Sequence, residues 1–313
     1  MTDITADSTA AGQAGTAADA PVFVKRRMPF RRWFRTVGWR HLVGLVALAF
    51  ALFPVLFVVS SSLNPAGTLG GSTLIPSDVS FINYRDLLNG TDAPYLDWLV
   101  NTLFVAGGAA VLNTGLAAFA SYAFSRMRFA GRRSGLLAIL LIQMFPTTLL
   151  FVALFVFVTD IGGVFPGLGL GSRTMLLIIY LGGALGINTW LIKGYFDTIP
   201  RDLDESALID GATHAQIFFR VILPLAAPIL AVVALITFVF TINEFVVASV
   251  VLGQGDDNNF TLAVGMFRFI DGQGGEWGQF AAGSVMSAIP VVLLFLFLQR
   301  WIVSGLTAGA VKG

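Results

Sequence analysis

From residue 41 onward the chain alternates long apolar runs with short polar segments. A helix rising 1.5 Å per residue needs about 20 apolar residues to cross a hydrocarbon layer about 30 Å thick. Six runs reach that length, at about residues 41–63, 98–122, 134–158, 174–196, 221–251 and 280–303. The pattern predicts an all-α membrane protein with six transmembrane helices. The first run is longer than a signal-peptide core and starts beyond the first 30 residues, so it reads as an anchor, with cleavage after Ser60, Ser61 and Ser62 as the alternative.

The polar segments divide the chain further. Residues 1–20 carry almost no large apolar side chain and are expected to form a disordered tail, having too little surface to bury. Between residues 23 and 40, seven basic residues alternate with Phe23, Phe30, Trp33, Phe34 and Trp39. With a span directly after it, this reads as an interfacial segment against anionic membrane lipid, not as a nucleic-acid patch. The expected organisation is a tail and basic interfacial segment over 1–40, the first span and an external loop over 41–96, and a core over 97–304. A short tail over 305–313 completes it.

Charge placement orients these spans. With the N-terminus inside, 16 of the 19 basic residues fall on the inner side and only Arg85, Arg173 and Arg268 outside, while nine of the 18 acidic residues lie outside. Short loops rich in Lys and Arg stay in the cytoplasm. Both termini are therefore expected in the cytoplasm of a multi-pass inner (plasma) membrane protein.

Composition narrows the chemistry. Hydrophobic residues make up 56% and charged residues 12%, against about 25% charged in a soluble domain, with a mean hydropathy of +0.81. A water-soluble globule is excluded. The absence of cysteine removes disulfides, thiolate nucleophiles and cysteine metal sites, and two histidines, His41 and His214, make no multi-histidine cluster. The three lysines, Lys25, Lys193 and Lys312, all lack the glycine-before, Ser/Thr-after context of a P-loop. The chain is thus expected to be no enzyme and to hold no cofactor. Helix contacts in lipid rely on close approach, for which Gly182 with Gly186, and Ala106, Ala110, Ala117 and Ser121, supply small residues at suitable spacing.

The inner segment over 197–220 reads as two short helices. Pro200 suits a first helical turn with Thr198 or Asp197 as cap, and Asp202, Asp204 and Glu205 complement the helix dipole. Gly211 supplies a left-handed stop, and Thr213 with Gln216 forms a capping box opening the second helix. Caps at both ends favour a docking surface over a solvated connector.

Glu205-Ser206-Ala207, three residues, Gly211, nine residues, then Val221-Ile222-Leu223-Pro224 matches the E-A-A, G, I-x-L-P signature of permeases in binding-protein-dependent ABC importers. Ser206 and Val221 depart from the usual Ala and Ile. The resemblance extends from the first span onward and is closest to the smaller permeases of maltose and maltodextrin importers, carried also by residues 188–196, 261–266 and 299–313. It implies the type I importer permease fold, with residues 197–220 as the coupling loop that docks on an ATPase through Glu205, Ser206, Ala207, Asp210, Gly211, Leu223 and Pro224. The implied partners are a second homologous permease, two ATPase subunits that hold ATP and Mg, an extracytoplasmic sugar-binding protein and an oligosaccharide, with no nucleic acid. The C-terminal tail is implied to touch the ATPase. An ion-gradient-driven secondary transporter is the alternative, and it would be expected to show inverted repeats and intramembrane acids.

Glu244 is the clear ionisable residue within a span, some 20 residues after Pro224 and hence near the outer end of the fifth. An internally bonded carboxylate and a group lining the sugar path are both open readings, with Phe240, Asn243 and Phe245 as companions in the second. Outside, residues 64–97 and 253–279 are candidate contacts for a binding protein. The second is favoured for its length and for Phe267, Phe269 and Trp277 in a polar setting.

Overall fold

The computed structural model describes residues 29–65, 78–90, 93–183, 185–270 and 275–310, and side chains in all of these except 30, 147, 148 and 303–310. The tail expected over 1–20, the part of the basic segment before residue 29, part of each external loop and the last three residues lie outside the described residues. The described residues are helical and joined by turns, with no strand among them.

Two compact units divide the chain at Val55. In the first, a π-helical turn over Phe34–Gly38 leads into α1 (Trp39–Ser62), where Trp33 stacks on His41 with ring centroids 6.0 Å apart. Residues 39–55 of α1 are exposed throughout and apart from Arg40 and His41 almost wholly uncharged, the surface of a helix solvated by lipid.

In the second unit, α2 (Ile82–Asn89) precedes α3 (Tyr95–Arg126), a continuous helix of 32 residues. Then follow α4 (Arg132–Gln143), α5 (Phe151–Val164), α6 (Arg173–Leu181) and α7 (Ile187–Thr198). Beyond them come α8 (Asp202–Ile209), α9 (His214–Leu225), α10 (Ala227–Asn243), α11 (Val246–Leu252), α12 (Leu262–Phe267) and α13 (Trp277–Ala310). α3 is the centre, packed against α10, α7, α6 and α12. Ala106, Ala117 and Ser121, all fully buried, with Ala110 at 5% exposure, line this contact, so the small-residue stripe on α3 performs the close packing its spacing predicts.

The expected run of six uninterrupted spans is corrected in three places. Among the described residues, three helices are long and apolar enough to cross unbroken: Arg31–Ser62, Tyr95–Arg126 and Trp277–Ile302. The third predicted span is divided between α4 and α5, where Pro146 cannot donate its backbone N–H and a short 3-10 turn takes over. The fourth is divided between α6 and α7, because Gly182, Gly183 and Gly186 cluster where helix propensity is lowest. Gly182 and Gly186 are consequently helix caps at a break and not a packing pair. The fifth begins at Ala227 instead of Val221, since α9 and α10 meet at 77° around Ala226, between Pro224 and Pro228, each of which removes a helical hydrogen bond.

The segment predicted as an external loop over 253–279 is also more ordered than expected. Phe260, Leu262, Val264, Met266 and Phe269 join the core formed by Tyr95, Trp98 and Val105. Gly265 meets Trp98 so closely that a Cβ there would stand 2.2 Å from the indole.

Candidate functional site

The loop between α7 and α9 is a short helix held at both ends. α8 opens with Asp202, Asp204 and Glu205 in its first turn, where negative charge meets the positive end of the helix dipole. The predicted caps are corrected: Arg201 occupies the N-cap without a side-chain bond, Thr198 Oγ1 donates instead to Tyr195 O at 2.7 Å, and Asp197 turns towards α3. At the far end Gly211 has φ +81°, a left-handed position that costs an L side chain strain. The Gly211 amide donates to Leu208 O at 3.0 Å and that of Ala212 to Ala207 O at 2.9 Å, a Schellman closure. The capping box is present as expected: Gln216 N donates to Thr213 Oγ1 at 3.3 Å and Thr213 N to Gln216 Oε1 at 2.8 Å.

The seven residues expected to couple separate into two faces. Glu205, Ser206, Asp210, Gly211 and Pro224 are exposed, whereas Ala207 and Leu223 are half-buried against a cluster of Ala117, Tyr122, Ile217, Phe218 and Ile222. The outward face of α8 also shows Leu203, Leu208 and Ile209, the last 86% exposed. Charged residues over 197–220 flank these apolar side chains in the sequence.

Anchorage of this loop to the C-terminal end of α3 has no signal in the sequence. Arg126 Nε lies 2.7 Å from Asp204 Oδ2, with both side chains largely withdrawn from solvent at 7% and 15% exposure. Arg126 Nη2 donates to Ile199 O at 2.9 Å. Arg201 Nη2 donates to Ser125 O at 3.3 Å, and Ser125 Oγ donates to Asp197 Oδ1 at 2.6 Å. Lys193 Nζ stands 2.5 Å from Asp197 Oδ2. Burial alone would raise the Asp197 carboxyl, but hydrogen bonds from Lys193 and Ser125, with the charges of Lys193 and Arg132, outweigh it and hold it below its ordinary value. Tyr122, Arg126, Arg128, Asp204, Glu205 and His214 border an open hollow of about 470 Å³ beneath α8.

The second candidate set, at the end of α10, is placed in more than one setting. Glu244 is fixed from three sides: Tyr180 Oη donates to its Oε2 at 2.5 Å, Val247 N to its Oε1 at 2.9 Å and Ala248 N to its Oε2 at 3.0 Å. It therefore caps α11 and bridges α10 to α6. Asn243 and Phe245 border a hollow of about 290 Å³ with Phe267, Phe280, Ser284 and Ser287, in which Phe245 and Phe267 lie 4.9 Å apart. Phe240, 71% exposed, does not border it. A pair of aromatic faces beside an amide and two hydroxyls can stack on and hydrogen-bond a neutral polyol.

The chain is similar to known proteins over most of its length. Residues 113–308 match the family described as the binding-protein-dependent transport system inner membrane component. The maltose/maltodextrin transport system permease protein MalG of Escherichia coli K12 is 43% identical over 284 residues, covering 87% of this chain and 95% of that protein. MalG of Photorhabdus laumondii is 42% identical over 290 residues, covering 88% and 97%. Among solved structures, a bacterial ABC transporter involved in the import of the acidic polysaccharide alginate superposes with a TM-score of 0.70 at 26% identity, over 88% of this chain and 99% of that one. The chain belongs to the family of inner membrane components of binding-protein-dependent transport systems.

Proposed function

We propose that the chain is the permease subunit of an ATP-driven importer of maltose, maltodextrin or a related oligosaccharide, forming half of the translocation path beside a second permease. The observation that carries this reading is identity of 43% across 95% of a maltose/maltodextrin permease, joined to a capped helix at the signature motif that exposes Leu203, Leu208 and Ile209. In this reading six spans cross the membrane, three of them interrupted, with both termini and residues 197–220 in the cytoplasm. One of two ATPase subunits docks on the exposed face of α8, and the pair supplies the energy. A sugar-binding protein docks outside, and the hollow beside Asn243 and Phe245 borders the sugar path. The alternative of an ion-gradient-driven carrier lacks support: Glu244, the acid it would use, is occupied as a helix cap.

The test is reconstitution of the chain with its second permease, ATPase and binding protein in vesicles. ATP-dependent uptake of labelled maltotriose, abolished when the binding protein is omitted, is the expected result. Uptake that follows an imposed proton or sodium gradient without ATP would overturn the reading.

A further inference from the structure

α3 joins two loops, one at each of its ends. At its C-terminal end Arg126 holds Asp204 and the carbonyl of Ile199, so α8 cannot tilt without pulling on α3. At its N-terminal end the segment before α12 is sewn on in the same manner. Trp98 Nε1 donates to Asp257 O at 2.8 Å. Asn101 Nδ2 donates to Asn258 O at 2.6 Å and Phe260 O at 2.9 Å, and Leu262 N donates to Thr102 Oγ1 at 2.7 Å. Arg173 in turn reaches Asn101 Oδ1.

The helix carries no proline and runs unbroken from Tyr95 to Arg126, so Asn101 and Arg126 stand about 38 Å apart along it at 1.5 Å per residue. Most of the elements around it do not: α6 stops at Leu181, and α9 and α10 bend by 77°, while α13, reached by Tyr95 at Gly283, runs through but carries Pro290. Load applied to an interrupted element is absorbed at the interruption, whereas an unbroken helix in a close-packed surround passes it on.

We infer that α3 is the transmission rod of the permease, with Arg126 as the positioning residue of its inner joint and Asn101 as that of its outer joint. This rests on the proposed docking of an ATPase on α8 and of a binding protein outside. Neither residue touches sugar or nucleotide; each keeps one loop in step with the helix. Docking outside therefore moves α8, and closure of the ATPase moves the segment over 257–262, through the same element. Thermodynamic coupling requires this reciprocity.

The experiment is a double-mutant cycle in the reconstituted complex, with maltose-loaded binding protein as the probe and the ratio of stimulated to basal ATP hydrolysis as the readout. Arg126→Gln and Asn101→Ala are each expected to lower that ratio about tenfold, within the range of allosteric coupling. Together they should lower it no further than the worse single variant, because a rod cut at one end transmits nothing to lose at the other. Arg126→Lys, which keeps the charge, is expected to recover part of the response and takes the place of Arg126→Gln in the cycle if the latter does not assemble. Losses that multiply in the double variant, or single variants with wild-type ratios, overturn the rod. Gly211→Val is run alongside. If it abolishes stimulation while the two joints act independently, the docking role of α8 stands and the rod falls; if it leaves stimulation intact, the docking role falls and the rod with it.

Discussion

The Tyr180 hydroxyl donates to the Glu244 carboxylate at 2.5 Å, tying the last turn of α6 to the break between α10 and α11. The same carboxylate accepts from the amides of Val247 and Ala248, which places its role in holding a helix start. Glu244→Gln keeps one acceptor oxygen and is expected to retain uptake at reduced rate. Glu244→Ala removes the cap, at a cost of about 1 kcal/mol, and should lower the thermal midpoint of the detergent-purified protein. Complete loss of uptake by assembled Glu244→Gln would instead put the carboxylate on the path.

At Gly211 the constraint is conformational and not steric, because nothing lies within 4 Å of a Cβ built there while φ is +81°. Val is expected to strain the turn by about 1–2 kcal/mol and to uncouple ATP hydrolysis from sugar. Asn tolerates left-handed geometry, so Gly211→Asn should keep most of the response. Sugar-stimulated ATPase activity and subunit co-purification separate the two outcomes.

Gly265 presents the opposite case, with ordinary φ and no room beside Trp98. Gly265→Ala is expected to destabilise the second unit by about 1–3 kcal/mol through overpacking, seen as a lower melting temperature and poorer yield. A melting temperature equal to wild type would rule out the close α3–α12 contact at Trp98.

Asp197 gives a pH dependence whose sign follows from its depressed carboxyl. The unfolded chain titrates near the ordinary value of 3.8, so the stabilisation is fully present above that value and is lost as pH falls through the lower folded one. Asp197→Asn should flatten the acid limb of the stability profile below about pH 4 while leaving the neutral arm parallel to wild type. Thermal melts across that range are the measurement.

Orientation is open to a direct test because the chain has no cysteine. A cysteine at exposed Ser206 is expected to resist an impermeant maleimide in intact cells and to react once the membrane is opened. Labelling in intact cells would reverse the topology.

Local signals in the sequence carried the loop well. Gly211, Thr213 and Gln216 act through neighbours one to five residues away, so their spacing alone specifies the turn and the capping box. The small-residue stripe on α3 was legible for the same reason. Arg126 with Asp204, 78 positions apart, was not, since each had a sufficient local explanation: one as a topology marker, the other as a dipole partner. Hydropathy also hid the interruptions, because Gly182, Gly183 and Gly186 break a helix without lowering its apolar character. For Glu244 the sequence held no sign of Tyr180 or of the α11 amides as partners, because the tyrosine lies 64 positions away.

The unbroken course of α3 makes its residue count a matter of phase. Inserting one residue between Asn101 and Arg126 would turn one end against the other by about 100° and advance it 1.5 Å, carrying the guanidinium away from Asp204 while every apolar side chain remained apolar. The same insertion between Leu181 and Ile187, already outside regular helix, would be taken up locally. Length variation in this chain is therefore tolerable where helices stop, and forbidden in α3 except by whole turns.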